Sequence, residues 1–372
     1  MFEDEKKNEE MLYGAYNKLK SYYHYNKNML YLKKKIAEFE DDDIKMQSSM
    51  KNIAQVLANP LKYANKIQEW IERINYRVLP KSFATTSKSE NIFVSGVTQG
   101  DEPINKVNFF IDMPIELFLL DTLWTLLVGK LAFDQQIIGS CCYGNCLDNY
   151  VIYNKSDFFL ESINFEKNKM FKIYFNQYCK WKNNAINAVK YNNKIKKNTV
   201  LVSLDVKSFF YSVHWNFKYM DEYVNDDIRL KNIATLTDII SLIYVEYTSR
   251  LGNVRILTQN MVEKECVLPI GLFSSMLLSN LYLAKYDKEM CSKTNILYYG
   301  RYVDDMLILL DTEERRLKGE SEEFDYLLTE RNSILEKTDH GEYILRGEPN
   351  LRIQREKVKL LFLKKKQINQ PV

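Results

Sequence analysis

The chain has 372 residues, more than one ordinary hydrophobic core accommodates, so two or three subdomains around a shared cleft are expected. A hydrophobic content of 46% excludes wholesale disorder, and 52 Lys+Arg against 49 Asp+Glu leaves only +3. Any surface for a polyanion must therefore be a local patch. The longest apolar stretch, Phe109–Phe133, carries Asp112, Glu116 and Asp121, which argues against a membrane span.

Met1–Glu10 is charged throughout, so no signal peptide is expected, and the six cysteines are read as free thiols in a reducing cytoplasm. The cluster Cys141-Cys142-Tyr143-Gly144-Asn145-Cys146 lacks a second ligand pair at zinc spacing, and His24, His214 and His340 are scattered. The 26 tyrosines, alongside abundant Lys, Asn and Ile, read as the coding bias of an AT-rich genome.

From the N-terminus, Met1–Tyr76 shows helical periodicity, with Ile53, Val56, Leu57 and Leu61 on one face. The acidic run Glu38–Asp43 is a solvated loop or a helix start. Pro80, Gly96, Gly100 and Pro103 mark Val78–Asn105 as loops and turns, and Pro114 opens a buried helix within the apolar run. Glu166–Asn198 then holds nine lysines against one acid, interleaved with Phe171, Tyr174, Phe175, Tyr178, Trp181 and Tyr191. Lysine suits phosphate and aromatic rings suit bases, whereas an exposed helix with its aromatics in the core has the same composition. Both readings stay open at this point. Thr199–Val206 reads as a strand ending at Asp205, and Ser274–Met290 as a helix with Ser274 near its N-cap. Ile296–Leu310 reads as a hairpin with a Val303-Asp304-Asp305 tip, and Leu351–Leu363 as one or two short strands.

If the hairpin lies beside the first strand, Asp205, Asp304 and Asp305 converge at one sheet edge. Like charges that close repel and raise each other's pKa unless divalent cations neutralise them. Carboxylate oxygens with open positions suit Mg²⁺, and two such ions can drive an in-line displacement at phosphorus.

Four motifs, in order, carry a resemblance. Asp205–Val213 (Asp-Val-Lys-Ser-Phe-Phe-Tyr-Ser-Val) resembles the first palm motif of reverse transcriptases, and Tyr302-Val303-Asp304-Asp305 resembles their Tyr-x-Asp-Asp hairpin. Leu268–Ser275 with Leu278–Leu283 is similar to the family's turn-plus-helix motif, and Arg355–Leu360 to its lysine motif before a primer-grip-like stretch. The resemblance is close over about 200–363 and looser upstream. It implies an α/β (α+β) right-hand polymerase with fingers and an antiparallel palm sheet, a helical N-terminal region and a minimal or absent thumb. The implied divisions are 1–76 helical, 77–198 fingers with the basic patch, 199–350 palm, and 351–372 primer-grip-like strands and tail.

The resemblance also implies roles. Asp205 and Asp304 would be metal ligands supported by Asp305, with two Mg²⁺ ions (Mn²⁺ as substitute) and the Val206 carbonyl as a further ligand. Phe210 would be the gate against a ribose 2′-hydroxyl, with its neighbour Phe209 on the opposite face of a strand, in the core. Lys357 would protonate the leaving pyrophosphate, and Gly271 would let backbone approach template or nucleotide. The expected activity is RNA-directed DNA polymerisation from dNTPs, in a bacterial cytoplasm. Leu268-Pro269-Ile270-Gly271 and Tyr143-Gly144-Asn145 resemble most the bacterial abortive-infection and defence-associated enzymes, which implies antiphage defence. A dedicated non-coding RNA, self-association or a second polymerase or defence protein would compensate for the missing thumb. Ile270 stands where many relatives carry Gln, and Cys146 where they carry Arg, so the contact to the triphosphate is left unassigned. The alternatives are a retron-type enzyme, a template-independent or protein-primed polymeriser, and a non-catalytic nucleic-acid-binding module.

Overall fold

The computed structural model describes residues 2–25, 29–83, 104–148, 163–195, 197–224, 233–252, 261–312 and 320–363. Four helices open the chain: α1 (Glu5–Tyr25), α2 (Leu30–Glu40), α3 (Asp43–Ala58) and α4 (Ala64–Glu72). The acidic run Glu38–Asp43 spans the end of α2 and the start of α3, where the Asp42 side chain caps the helix by accepting a hydrogen bond from the Lys45 backbone N–H at 2.9 Å. Ile53, Val56 and Leu57 are buried as their spacing requires, but Leu61 is exposed. The helix stops at Ala58, short of Pro60, so the face does not extend to Leu61.

The turn-rich reading of 78–105 is corrected over its described part. Asn75–Phe83 (β1) and Ile104–Asp112 (β2) pair antiparallel as a two-stranded ribbon; 84–103, with Gly96 and Gly100, lie outside the described residues. Pro80 is tolerated because a ribbon has edges on both sides, and a register shift follows it. Phe109–Asp112 therefore belong to a strand, and the apolar helix α5 begins later, at Ile115, running to Asp134 with Pro114 in the cap position.

Helix α5 is buried on nearly every face, as a helix that is apolar all round must be. Its one buried acid, Asp121, accepts from the backbone N–H groups of Phe273 (2.9 Å) and Ser274 (3.4 Å). That carboxylate caps a helix further along the chain. The expected Ser274–Met290 helix is in fact two, Phe273–Tyr282 and Ala284–Ser292, broken at Leu283. Ser274 sits inside the first turn, and the cap comes from Asp121 across the core.

Between these parts lie α6 (Tyr174–Lys194), β3 (Thr199–Asp205), the short α7 (Phe209–Ser212) and α8 (Met220–Tyr223), and α9 (Ala234–Leu251). The helices of the preceding paragraph are α10 (Phe273–Tyr282) and α11 (Ala284–Ser292), followed by β4 (Ile296–Tyr302) and β5 (Asp305–Asp311). After α12 (Glu320–Asp325) and a π-helical turn, β6 (Leu335–Lys337), β7 (Tyr343–Leu345) and β8 (Glu348–Arg352) form a small antiparallel sheet. The last strand, β9 (Lys359–Leu363), completes a four-stranded antiparallel sheet of order β4-β5-β3-β9. Helix α6 packs on this sheet through buried Trp181, whose indole N–H donates to the Gly300 carbonyl at 2.9 Å. The fold is thus mixed, helices around antiparallel sheets. Among the described residues no helix is long and apolar enough to cross a membrane, and the six cysteines are free.

Candidate active site

Alternating apolar residues with one aspartate at the end fix β3 in register against β5. Val200, Val202 and Leu204 are buried, and that alternation sets Asp205 directly opposite Asp305. Tyr302, the last residue of β4, also pairs with Asp305. The turn is therefore two residues, Val303-Asp304, rather than three, and Asp305 opens the returning strand. Two-residue hairpins want positive φ at the tip, and Val303 supplies it at φ +58° although it is β-branched.

The three acids sense one another. Burial pushes the Asp304 carboxyl up to about 6, reinforced by Asp305 and Asp205, and Asp305 is raised by burial and by Asp205. Asp205 already has positive company: Lys357 Nζ lies 3.1 Å from Oδ2 and 3.3 Å from Oδ1, and the Gln354 amide donates to Oδ1. The backbone binds the same place together, with Gln354 N–H donating to the Asp205 carbonyl (3.0 Å) and Val206 N–H to that of Asp304 (3.4 Å). Among the described residues no three His, Cys, Asp or Glu side chains are gathered as a ready metal cage. The donor set still suits a hard divalent cation. It consists of carboxylates that repel one another, and the ammonium on Asp205 stands where positive charge is wanted.

Behind the hairpin is a buried polar frame. Arg301, wholly buried, donates from Nε and Nη2 to Asp287 (2.9 and 2.7 Å) and from Nη1 to Asn280 Oδ1 (3.1 Å) and the Val303 carbonyl (2.9 Å). Asn280 in turn donates to the carbonyls of Gly144 (2.9 Å) and Asn145 (3.2 Å), and Tyr299 O–H donates to Asp287 (2.7 Å). Gly144 presses on the tip: a Cβ there would lie 2.8 Å from the Val303 backbone nitrogen. The Tyr143–Asn145 loop, α10 and α11 thus hold the Val303-Asp304 turn in place. This frame was not anticipated, though β4 offered a signal. Arg301 is the single charge in an apolar and aromatic strand, and a buried arginine demands a buried acid.

The other expected residues divide. Phe209 is buried and Phe210 half-buried, but they lie in one helical turn, not on opposite faces of a strand. The left-handed Ser208 (φ +51°) ends the strand line and starts that turn, with Lys207 N–H tied to the Arg352 carbonyl at 2.8 Å. Val206 is buried beside Asp205. Gly271 has φ +111°, and the space of its missing side chain is filled by Met29, 2.8 Å from where a Cβ would stand. Both the backbone conformation and this packing call for glycine here. Cys146 lies 3.9 Å from Cys142, and its carbonyl accepts from Lys172 N–H at 2.9 Å. In the basic patch the aromatic rings divide between core and surface. Trp181 is core and Tyr178 packs on Tyr302, while Tyr174, Phe175 and Tyr191 are exposed.

Residues 156–365, more than half of the chain, match the family described as reverse transcriptase (RNA-dependent DNA polymerase). No curated protein matches the chain. Enzymes of this family work on a nucleic-acid template with dNTPs and generally use divalent metal ions. With its Tyr-x-Asp-Asp hairpin paired to Asp205 and the family match spanning the whole four-stranded sheet, the chain belongs to the reverse transcriptases and is an RNA-directed DNA polymerase, a nucleotidyltransferase.

Proposed function

We propose that the chain copies RNA into DNA at Asp205, Asp304 and Asp305, with two Mg²⁺ ions, for which Mn²⁺ substitutes. The observation that carries this reading is the register Asp205↔Asp305 with Asp304 at the adjoining tip. Asp205 and Asp304 would hold the ions, with Asp305 and the Val206 carbonyl in support. Bound there, the ions would activate the primer 3′-hydroxyl and neutralise charge on the leaving pyrophosphate. The protein's own residues do the rest. Lys357, half-exposed and beside Asp205, is placed to pass its proton to the pyrophosphate. The half-buried Phe210 ring narrows the space a 2′-hydroxyl needs. The Arg301 frame keeps the Val303-Asp304 turn from yielding as charge develops.

In this reading 199–350 is the palm, 77–198 the fingers, 1–76 a helical flank and 351–372 the primer-grip-like strands and tail, with β9 completing the palm sheet. The resemblance of Tyr143-Gly144-Asn145 and Leu268–Gly271 to abortive-infection enzymes supports a role in bacterial antiphage defence, in the cytoplasm. A dedicated RNA, a second copy or a partner protein would steady the duplex. Sequencing the DNA made by purified protein with its co-purifying RNA tests the reading. A product complementary to one RNA is expected, whereas untemplated or low-complexity DNA would overturn the RNA-directed assignment.

A further inference from the structure

Helix α6 buries Trp181, Ala185 and Asn192 against the sheet that carries the aspartates. Its opposite face is open. Residues 3.6 per turn apart place Phe175, Lys182, Ile186 and Lys190 in one stripe along a helix of 21 residues, roughly 30 Å long. Phe175 is 67% and Tyr191 65% exposed, an unusual state for rings this size on a helix with a packed inner face. The four lysines of α6, Lys180, Lys182, Lys190 and Lys194, meet no acid within the helix. Lys182 lies over the Tyr178 ring, 4.3 Å from its centroid.

We propose that the outer face of α6 is a track for single-stranded nucleic acid, separate from the carboxylates, along which template or product runs to or from the site. The lysines neutralise phosphates, and the exposed Phe175 and Tyr191 rings stack on bases of any sequence. Exposed asparagines at 176, 183, 187 and 193 add donors and acceptors for base edges. A second copy of the chain would bring its own lysines against these, which disfavours self-association here. An acyl phase would have to bury the four amides without partners. The assignment of the strand as template or product rests on the proposed function, but its binding does not.

The test uses the full-length protein and fluorescence anisotropy with a labelled uridine 20-mer and a thymidine 20-mer. Phe175→Ala/Tyr191→Ala should weaken binding at least about fivefold, the lower end for a lost stacking ring. Lys190→Gln/Lys194→Gln should reduce the slope of log affinity against log salt by about 1.4, at about 0.7 per phosphate contact. Circular dichroism should match wild type, because all four side chains are exposed. Asp304→Asn/Asp305→Asn should bind the oligomers as wild type does while failing to extend a primer, so failure of the catalytic reading is seen separately. Unchanged affinity and salt slope in both surface variants would overturn the proposal. So would loss in those variants of binding to anionic vesicles or of dimerisation, with oligomer binding intact.

Discussion

Arg301→Ala is the perturbation that bears hardest on how the hairpin is held. The guanidinium is wholly buried and makes two charged contacts to Asp287, one to Asn280 and one to the Val303 carbonyl. Removing it leaves the Asp287 carboxylate buried with the Tyr299 hydroxyl as its remaining side-chain donor among these contacts. Breaking a buried pair of this kind costs about 3–5 kcal/mol, and each stranded acceptor adds about 1 kcal/mol or more. At about 2 °C per kcal/mol for a chain of this size, the melting temperature should fall roughly 8 °C or more. Replacing both partners, Arg301→Met/Asp287→Leu, removes the uncompensated charge and should recover most of that stability. Primer extension should stay low in the double variant, because the Val303 turn has lost its anchor. Calorimetry and extension assays on the two variants read both quantities. A loss under about 1 kcal/mol in Arg301→Ala, or full extension by the double variant, would refute the reasoning.

Other outcomes follow from the same geometry. Gly144→Ala places a Cβ 2.8 Å from the Val303 nitrogen and should cost about 1–3 kcal/mol in denaturant unfolding, with a larger loss in extension. Asp121 is buried and its carboxyl is pushed up to about 7, by burial first, against the lowering effect of the Ser274 hydroxyl and the Phe273 and Ser274 N–H groups. Because its folded pKa lies above the unfolded value of about 3.9, stability should fall as pH rises from about 4 through 7. Asp121→Asn should flatten that slope in pH-dependent urea melts; an unchanged slope would remove Asp121 as its source. Phe210→Ala should raise ribonucleotide use relative to dNTPs at least about tenfold in competition assays, and an unchanged ratio would end its gate role.

The site was legible in the sequence because its parts are local and patterned. Alternation in Thr199–Asp205 fixes which face is buried, and so which acid meets Asp305 across the sheet. The Tyr302–Asp305 hairpin carried its own signal of aromatic and apolar arms. What escaped depended on pairings distant in the chain. The ribbon β1–β2 was hidden by Pro80, which a two-stranded edge tolerates. The cap of α10 is Asp121, some 150 positions earlier, whereas the local sequence points to Ser274. The Arg301–Asp287–Asn280 frame joins three elements, and only the lone charge in β4 hinted at it. Ser208 in the left-handed region turned an expected strand into a helical turn, a backbone choice that neither periodicity nor residue type announces.

Incorporation of labelled dNTPs by the purified protein with Mg²⁺, before and after nuclease removal of bound RNA, tests the central claim most directly. Wild type and Asp304→Asn/Asp305→Asn run side by side. The geometry predicts incorporation that depends on RNA, is lost in the variant and is abolished when the metal is chelated. Incorporation that persists in the variant would contradict the assignment of the reaction to these carboxylates.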